Sequence, residues 1–282
     1  MNNLLLRTLT GIVFVALLVG CTLYSPLSFV LLFGVVTALS LWEFSTNVNL
    51  HAGASVNRLI NTVAGTYLFF AVAGFCADFV PSRVFVPYLV SVIYLPVSEL
   101  YLKKADPLKN WGYAFASQIY VALAFAMLNV LAFQYDPMTN LTAFEPIYPL
   151  SVFIFLWTSD TGAYCFGSLL HRRFPAKLFE RISPHKSWVG SVGGGLLCLL
   201  AGAALWHFFP DKLTLPHWLG LAATVCVFGT WGDLVESLFK RQLGVKDSGR
   251  ILPGHGGMLD RFDSSLLAIP AAVLYLYTIA CF

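Results

Sequence analysis

Charged residues are scarce in this chain. Of its 282 residues, 11% are charged and 58% are hydrophobic, and the mean hydropathy is +0.75. A typical soluble domain has about 25% charged residues. A soluble protein of this length could bury a large core, but it would still need a polar surface, which this composition cannot supply. We therefore expect lipid to solvate most of the chain.

Cysteine pairs and a large net charge are also missing. The six cysteines lie within or beside apolar runs and none forms a CxxC pair, so we expect packing residues rather than disulfides or a thiolate zinc site. A net charge of +3 is too small to indicate a nucleic-acid partner. Arg7 precedes the first apolar run without a clear small-residue cleavage site, so we interpret this run as a retained helix.

Long apolar runs fill the chain instead. A hydrocarbon core of ~30 Å needs about 20 mostly apolar helical residues, and about nine segments qualify. They lie near 8–24, 27–45, 59–77, 84–102, 113–135, 147–169, 190–209, 216–238 and 264–281. These runs are too long for strands and lack the alternation of a membrane barrel. The sequence predicts an all-α, polytopic helix bundle: one membrane-embedded domain over 1–282, with N-terminal helices in 1–140 and catalytic helices and loops in 147–282.

The positions of the cations predict the orientation of this bundle. If successive loops alternate between the two sides, all of the 17 Lys and Arg residues except Arg83 and Lys212 share a side with the N-terminus. Because cytoplasmic loops are enriched in Lys and Arg, we expect a cytoplasmic N-terminus and an external C-terminus. The loops after the sixth and eighth runs are the richest in cations, and they border helices that contain acids.

One group of polar residues lies in the eighth run, in the stretch TWGDLVESLFKR. Asp233, Glu236, Ser237 and Lys240 are spaced i, i+3, i+4 and i+7, which places them on one face of a helix. Carboxylates in or near a membrane normally face a polar cavity. The alternative is an internal ion pair between Glu236 and Lys240, but this leaves Asp233 without a partner.

A second group lies in and after the sixth run. Asp160 sits among Thr158, Ser159, Thr161 and Tyr164, which favours either a functional site or a structural hydrogen-bond network. The short turn SPHKS then brings Lys186. Several glycines follow, and their alternative role is to let membrane helices approach closely: Gly190, Gly193, Gly194 and Gly195.

The densest polar stretch is KDSGRILPGHGGMLDRFD. Asp260 and Asp263 stand at the entrance of the last helix, where capping is the alternative role. Glycines leave backbone N–H groups free to approach an oxygen ligand, and hard cations bind carboxylates together with phosphate oxygens. His255 is suited to proton transfer, to hydrogen bonding with phosphate, or to bracing the loop. The stretch indicates phosphoryl or nucleotidyl transfer at the cytoplasmic face of a membrane.

The segment from Ser237 to Asp263 resembles the signature of the phosphatidate cytidylyltransferase (CDP-diacylglycerol synthase) family. It reads SLFKRQLGVKDSGRILPGHGGMLDRFD and meets every fixed position of that pattern. The resemblance extends upstream to SDTGAYCFG and ISPHKSWVG, so its motifs cover roughly the last 130 residues. One departure is Val189, which stands where many members have a carboxylate, so we assign this position no acidic role.

The resemblance implies an enzyme that joins phosphatidate to CTP, releases pyrophosphate and uses Mg²⁺, with K⁺ as a further candidate. It places metal at Asp233 and Asp260 with Asp263 close by, and catalytic Ser237 and Lys240 on the same wall. The expected substrate-binding residues are Asp160, Lys186, Arg241, Lys246, Arg250, His255, Gly256 and Gly257.

Other properties follow from the same resemblance or stay open. The expected surroundings are membrane lipids, in a bacterial inner membrane with the active site facing the cytoplasm. A CTP-dependent lipid kinase, a prenyl-phosphate transferase and a transporter are the alternative functions. The oligomeric state stays open, with a homodimer among the candidates.

Overall fold

Helices make up most of the structure, a computed structural model that describes residues 3–136, 139–170, 172–251, 254 and 256–279. In the first part of the chain they are α1 (Asn3–Tyr24), α2 (Pro26–His51), α3 (Arg58–Cys76), α4 (Val86–Tyr101, preceded by a 3-10 turn at Ser82–Phe85), α5 (Pro107–Ser117) and α6 (Ala124–Ala132), with a π-helical stretch at Gln118–Leu123. Later come α7 (Ile147–Leu170), α8 (Trp188–Phe208), α9 (Leu215–Gln242), α10 (Leu259–Phe262) and α11 (Ser265–Thr278). Each predicted apolar segment thus contains helical residues.

Two short antiparallel hairpins depart from the all-α prediction. One pairs β1 (Phe133–Asp136) with β2 (Leu141–Phe144), and the other pairs β3 (Lys177–Phe179) with β4 (Ser183–Ser187). The fifth predicted run therefore stops being helical at Ala132, and SPHKS is a strand rather than a turn. Cross-strand packing explains the first hairpin, since the rings of Phe133 and Phe144 lie 5.4 Å apart.

The helices that could cross a membrane by length and composition number six among the described residues. They span Pro26–His51, Arg58–Cys76, Ser82–Tyr101, Pro107–Ala132, Trp188–Phe208 and Leu215–Gln242. Thr8–Tyr24 is a shorter apolar helix. The hydroxyls and the carboxylate of α7 lower its apolar character, and α11 has only 14 residues. A multi-pass membrane protein is confirmed in outline, whereas nine spans stay a prediction.

The chain forms two compact units. The first contains Met1–Pro146 and Gln242–Phe262, and the second contains Ile147–Arg241 and Asp263–Phe282. The expected division between an N-terminal part and a catalytic part concerns function and stays a prediction. The cation-rich loop that follows α9, however, belongs with the N-terminal helices, whereas the sequence grouped it with residues 147–282. The single membrane-embedded domain stays a prediction.

Buried amides and aromatic rings hold the first unit together. Asn61 on α3 donates hydrogen bonds to Ser45 on α2 (2.9 Å) and to Ser117 on α5 (2.7 Å), and Gln118 donates to the Asn61 side chain (2.8 Å). Phe262, at the end of α10, is buried and makes edge contacts with the rings of Phe14, Phe33 and Phe125. Phe262 thereby fixes the end of the cation-rich loop in the core of this unit.

Glycines bring α7 and α8 of the second unit into close contact. A Cβ atom on Gly194 would lie 2.6 Å from the Ser159 carbonyl oxygen, and one on Gly162 would lie 2.8 Å from the Gly194 backbone. The role of the glycine run as a close-packing surface is therefore confirmed. At the start of α8 the Ser187 hydroxyl accepts the Gly190 N–H (3.2 Å), so the hydroxyl of the SPHKS motif caps this helix.

Candidate active site

The loop from Leu243 to Met258 follows α9 and is braced by Asp260. Oδ2 of this buried carboxylate accepts the backbone N–H groups of Ser248 (2.8 Å) and Gly257 (2.8 Å). The sequence left helix capping as the alternative role of Asp260. Its described contacts brace a loop rather than cap the last helix, because both donors lie in the loop.

Gly257 serves a different purpose from the one expected. The sequence predicted amides free to meet a phosphate, but the Gly257 N–H is donated to Asp260. A Cβ atom on Gly257 would also collide with the carboxylate of Glu43 and the hydroxyl of Ser248. Gly256 has φ = +86°, a left-handed conformation that favours glycine. These glycines let the loop close tightly around protein carboxylates.

The sequence reasoning missed Glu43. This residue of α2 is 5% exposed, and its carboxylate accepts the N–H groups of Met258 (2.9 Å) and Leu259 (2.9 Å) and the hydroxyl of Ser248 (3.2 Å). One signal was available, since Glu43 is an acid inside the otherwise apolar stretch SLWEFS. Such a residue in a predicted membrane helix indicates a polar contact within the protein.

The cations of the loop are exposed. Lys246 and Arg250 both present their side chains at the surface, and so does Arg241 near the end of α9. His255 was predicted to meet substrate, but it lies outside the described residues. The exposed cations of the loop are therefore accessible to an anionic ligand, which leaves their predicted role in place.

Asp233 on α9 has partners on two elements of the second unit. Its Oδ2 lies 2.6 Å from Nζ of Lys186 on β4, and its Oδ1 accepts the Ser237 hydroxyl (3.1 Å). The expectation of an unpartnered Asp233 is therefore wrong. The Glu236–Lys240 ion pair that the sequence left as an alternative is present at 2.5 Å, with Glu236 fully buried.

Asp263 stands between α10 and α11 and accepts the N–H of Ser264 (2.6 Å). Gly232 of α9 packs directly against the backbone of Asp263, since a Cβ atom on Gly232 would lie 2.8 Å from the Asp263 carbonyl oxygen. Burial, together with the negative charges of Asp233 and Asp160, raises the pKa of the Asp263 carboxyl to about 7, although the Ser264 N–H and the charge of Lys240 act in the opposite direction. These carboxylates of the second unit therefore act on one another.

The polar patch around Asp160 is less connected than expected. The hydroxyls of Thr158 and Thr161 donate to carbonyls of their own helix, and Ser159 contacts the sulfur of Cys226 (3.2 Å). Asp160 itself is exposed. Because these hydroxyls bond to carbonyls of their own helix and to Cys226, they form no hydrogen-bond network around Asp160 in the described contacts.

The donor set of the second unit suits a hard cation. Asp160, Asp233 and Asp263 offer carboxylate oxygens, which Mg²⁺ prefers over nitrogen or sulfur. Among the described residues, no three Asp, Glu, His or Cys side chains lie at the spacing of metal ligands. Mg²⁺ commonly uses one or two carboxylates and completes its shell with water and substrate phosphates. Asp233 and Asp263 therefore fit this ion in kind and number.

Comparison with known proteins agrees with these features. The cytidylyltransferase family matches residues 5–279. A protein named phosphatidate cytidylyltransferase from Haemophilus influenzae is 31% identical, over 94% of this chain and 95% of its own length. One of the same name from Staphylococcus haemolyticus is 34% identical, again over 94% and 95%. Another, from Staphylococcus saprophyticus, is 50% identical over 44% of this chain and 46% of its own. The chain therefore belongs to the cytidylyltransferase family.

Proposed function

We propose that this chain transfers the cytidylyl group of CTP to phosphatidate, which yields CDP-diacylglycerol and pyrophosphate. Relatives that carry the name phosphatidate cytidylyltransferase align along almost its whole length. The structural observation that carries the proposal is the contact between Lys186 and Asp233 in the same unit as Asp263. Such a concentration of opposite charges in an apolar chain suits a reaction between two anions.

The chemistry needs no nucleophile from the protein. A phosphate oxygen of phosphatidate attacks the α-phosphorus of CTP, the bond from that phosphorus to the bridging oxygen breaks, and pyrophosphate leaves. The obstacle is repulsion between two negatively charged substrates. Groups that neutralise this charge, and that hold the attacking oxygen in line with the leaving group, supply most of the catalysis.

The loop of the first unit is assigned to CTP. Lys246 and Arg250 are exposed and bind the triphosphate through charge-assisted hydrogen bonds. Arg241 and His255 are assigned to the same anion by resemblance. Gly256 keeps its predicted place beside the phosphates, whereas Gly257 acts by closing the loop on Asp260.

Charged residues of the second unit, on α9, β4 and α7, are assigned to the reacting phosphates. Lys186 offsets phosphate charge and holds the Asp233 carboxylate, which Ser237 supports from one turn further along. Lys240 keeps its catalytic assignment from the resemblance, and Asp160 is assigned to the substrate side of this cluster.

A magnesium ion is assigned to Asp233 and Asp263, and to Asp260 by resemblance, with K⁺ as a further candidate. When bound, it would offset charge on the transferred phosphate and on the departing pyrophosphate. Lys186 and Ser237 contact the two oxygens of Asp233 and hold this carboxylate in one orientation. The carboxylate oxygens of these aspartates are the metal ligands that this chain would supply.

The proposed setting is a bacterial inner membrane with the active site towards the cytoplasm. The cation distribution supports this orientation, since all of the 17 Lys and Arg except Arg83 and Lys212 fall on one predicted side. Phosphatidate would enter from the surrounding lipid, while CTP is a cytoplasmic metabolite. A homodimer stays an open possibility of assembly.

Labelled CTP tests the proposal directly. The purified protein in detergent is mixed with phosphatidate, Mg²⁺ and CTP that is labelled at either the α- or the γ-phosphate. Cytidylyl transfer moves only the α-label, together with cytidine, into the lipid fraction and releases pyrophosphate. A lipid kinase moves only the γ-label, and a transporter moves neither. Undecaprenyl phosphate in place of phosphatidate tests the prenyl-phosphate alternative, and transfer to that lipid alone would overturn the proposal.

A further inference from the structure

Glu43 is a buried acid whose described carboxylate hydrogen bonds come from the loop and from Leu259, the first residue of α10. It is 5% exposed on α2, and every hydrogen bond described for its two carboxylate oxygens comes from Ser248, Met258 or Leu259. Burying a carboxylate is costly unless hydrogen bonds satisfy it. The carboxylate of Glu43 is therefore tied to this loop rather than to the packing of α2 on its neighbouring helices.

Glu43 and Asp260 together close the loop at a neck. We use "neck" for Ser248, Gly249 and the segment Gly257–Leu259. Ser248 contacts both acids, through its hydroxyl to Glu43 (3.2 Å) and its N–H to Asp260 (2.8 Å). On the same side, Nδ2 of Asn47 donates to the Ser248 carbonyl (2.6 Å). The two ends of the segment that carries Arg250 are thus fixed to α2.

The two glycines of the neck are required by the Glu43 carboxylate. A Cβ atom on Gly249 would lie 2.5 Å from Oε1 of Glu43, and one on Gly257 would collide with Oε2. The spacing of these glycines therefore matches the acid on α2, which is some 200 residues away in sequence. This arrangement specifies one closed form of the loop.

We propose that Glu43 is a positioning residue for the reaction, which holds the neck so that Arg250 and Lys246 are presented to the triphosphate of CTP. The inference rests on the proposed function for the identity of the ligand. It does not rest on that function for the geometry, since the neck contacts are a property of the free protein. Glu43 touches no reacting atom in this role and acts through the loop backbone.

Hydrogen exchange tests the geometry without any substrate. In Glu43→Gln one carboxylate oxygen becomes an NH₂ group, which cannot accept a backbone N–H. Met258 and Leu259 donate to different oxygens of Glu43, so we expect the amide that loses its acceptor to exchange at least about tenfold faster in this variant. Glu99→Gln is the matched control, because Glu99 is another buried acid of the same unit and receives Lys104 and Asn110 instead of the loop. Unchanged exchange at Met258 and Leu259 in Glu43→Gln would overturn the proposal.

Steady-state kinetics then test positioning against a merely structural role. We expect Glu43→Gln to lower kcat/KM for CTP roughly ten- to a hundredfold, mainly through a higher KM for CTP, with KM for phosphatidate nearly unchanged. A merely structural role would reduce the active fraction and lower kcat with both KM values intact, which would refute the inference. Glu99→Gln should leave KM for CTP unchanged.

A milder variant serves as the test if Glu43→Gln expresses poorly. Ser248→Ala removes only the hydroxyl bond to Glu43 and should shift the exchange rate and KM for CTP in the same direction by a smaller factor. The absence of any shift in Ser248→Ala, when Glu43→Gln cannot be obtained, counts against the proposal. If the wild-type protein transfers no cytidylyl group, the proposed function fails, while the exchange measurement still decides whether Glu43 holds the neck.

Discussion

The ion pair between Glu236 and Lys240 allows the stabilising and catalytic roles of Lys240 to be separated. The two groups lie 2.5 Å apart on α9, with side-chain exposures of 0% for Glu236 and 13% for Lys240. Removing one partner of a buried pair leaves an uncompensated charge and typically costs about 3–5 kcal/mol. We expect Lys240→Met to lower stability by that order, whatever its effect on the reaction.

The double variant Glu236→Met/Lys240→Met isolates the catalytic part. Replacing both members of a buried pair by apolar residues of similar length is often neutral or stabilising, so we expect the thermal midpoint in detergent to recover. Turnover should not recover, because the double variant still lacks the Lys240 charge beside the phosphates. The Glu99–Lys104 pair, at 2.7 Å on α4 and the turn after it, provides a control in which the same changes affect stability alone.

Two results would contradict this reasoning. Recovery of both stability and turnover in the double variant would show that Lys240 only neutralises Glu236 and has no catalytic part. An unchanged thermal midpoint in Lys240→Met would show that the buried carboxylate does not depend on this lysine, and the expected magnitude would then be wrong. The assay is cytidylyl transfer per folded molecule, with the folded fraction measured by size-exclusion chromatography.

Other variants test the remaining assignments. Asp233→Asn should insert normally and lose about 10²-fold or more in kcat, because a neutral amide is a weaker ligand for Mg²⁺ than a carboxylate, and near-normal turnover at saturating Mg²⁺ would refute this role. Asp260→Asn should also insert and lose nearly all turnover, as metal ligand or loop brace, and a fully active variant would exclude both roles. Lys246→Ala or Arg250→Ala should each remove ~1.5–3 kcal/mol of phosphate binding and lower kcat/KM for CTP roughly ten- to a hundredfold. An effect on phosphatidate alone would show that the loop cations have been assigned to the wrong substrate. A reporter that functions only in the cytoplasm should be silent when fused after residue 282, and a strong signal there would replace the nine-span topology by an even number of spans.

The helical segments could be predicted from hydropathy because a run of about 20 apolar residues has few other stable structures in lipid. Helical residues occupy each predicted run. The hairpins were missed because their strands have only three to five residues, which is too short for an apolar period to mark them, and β4 is mostly polar. Their pairing depends on tertiary context more than on local preference.

The residue types of the site were predictable, but their partners were not. The spacing of Asp233, Ser237 and Lys240 on one helix is local, so the contacts within α9 follow from helical geometry. The contact from Asp233 to Lys186 joins residues that are far apart in sequence. Nothing in a local pattern specifies such a pair, and the sequence therefore left Asp233 without a partner when it has one.

Glu43 shows how a long-range partner can be inferred before a structure is known. The sequence offered Gly256 and Gly257 as phosphate contacts, because a glycine amide beside cations commonly binds phosphate. It also contained an acid in an apolar run with no cation within a helical turn, and such an acid needs hydrogen-bond donors from elsewhere in the protein. A tight glycine loop is rich in exposed N–H donors, so a buried acid and a glycine loop in one membrane chain are complementary. The contacts of Glu43 with Ser248, Met258 and Leu259 satisfy both requirements, and they explain why this loop needs an acid from the N-terminal helices.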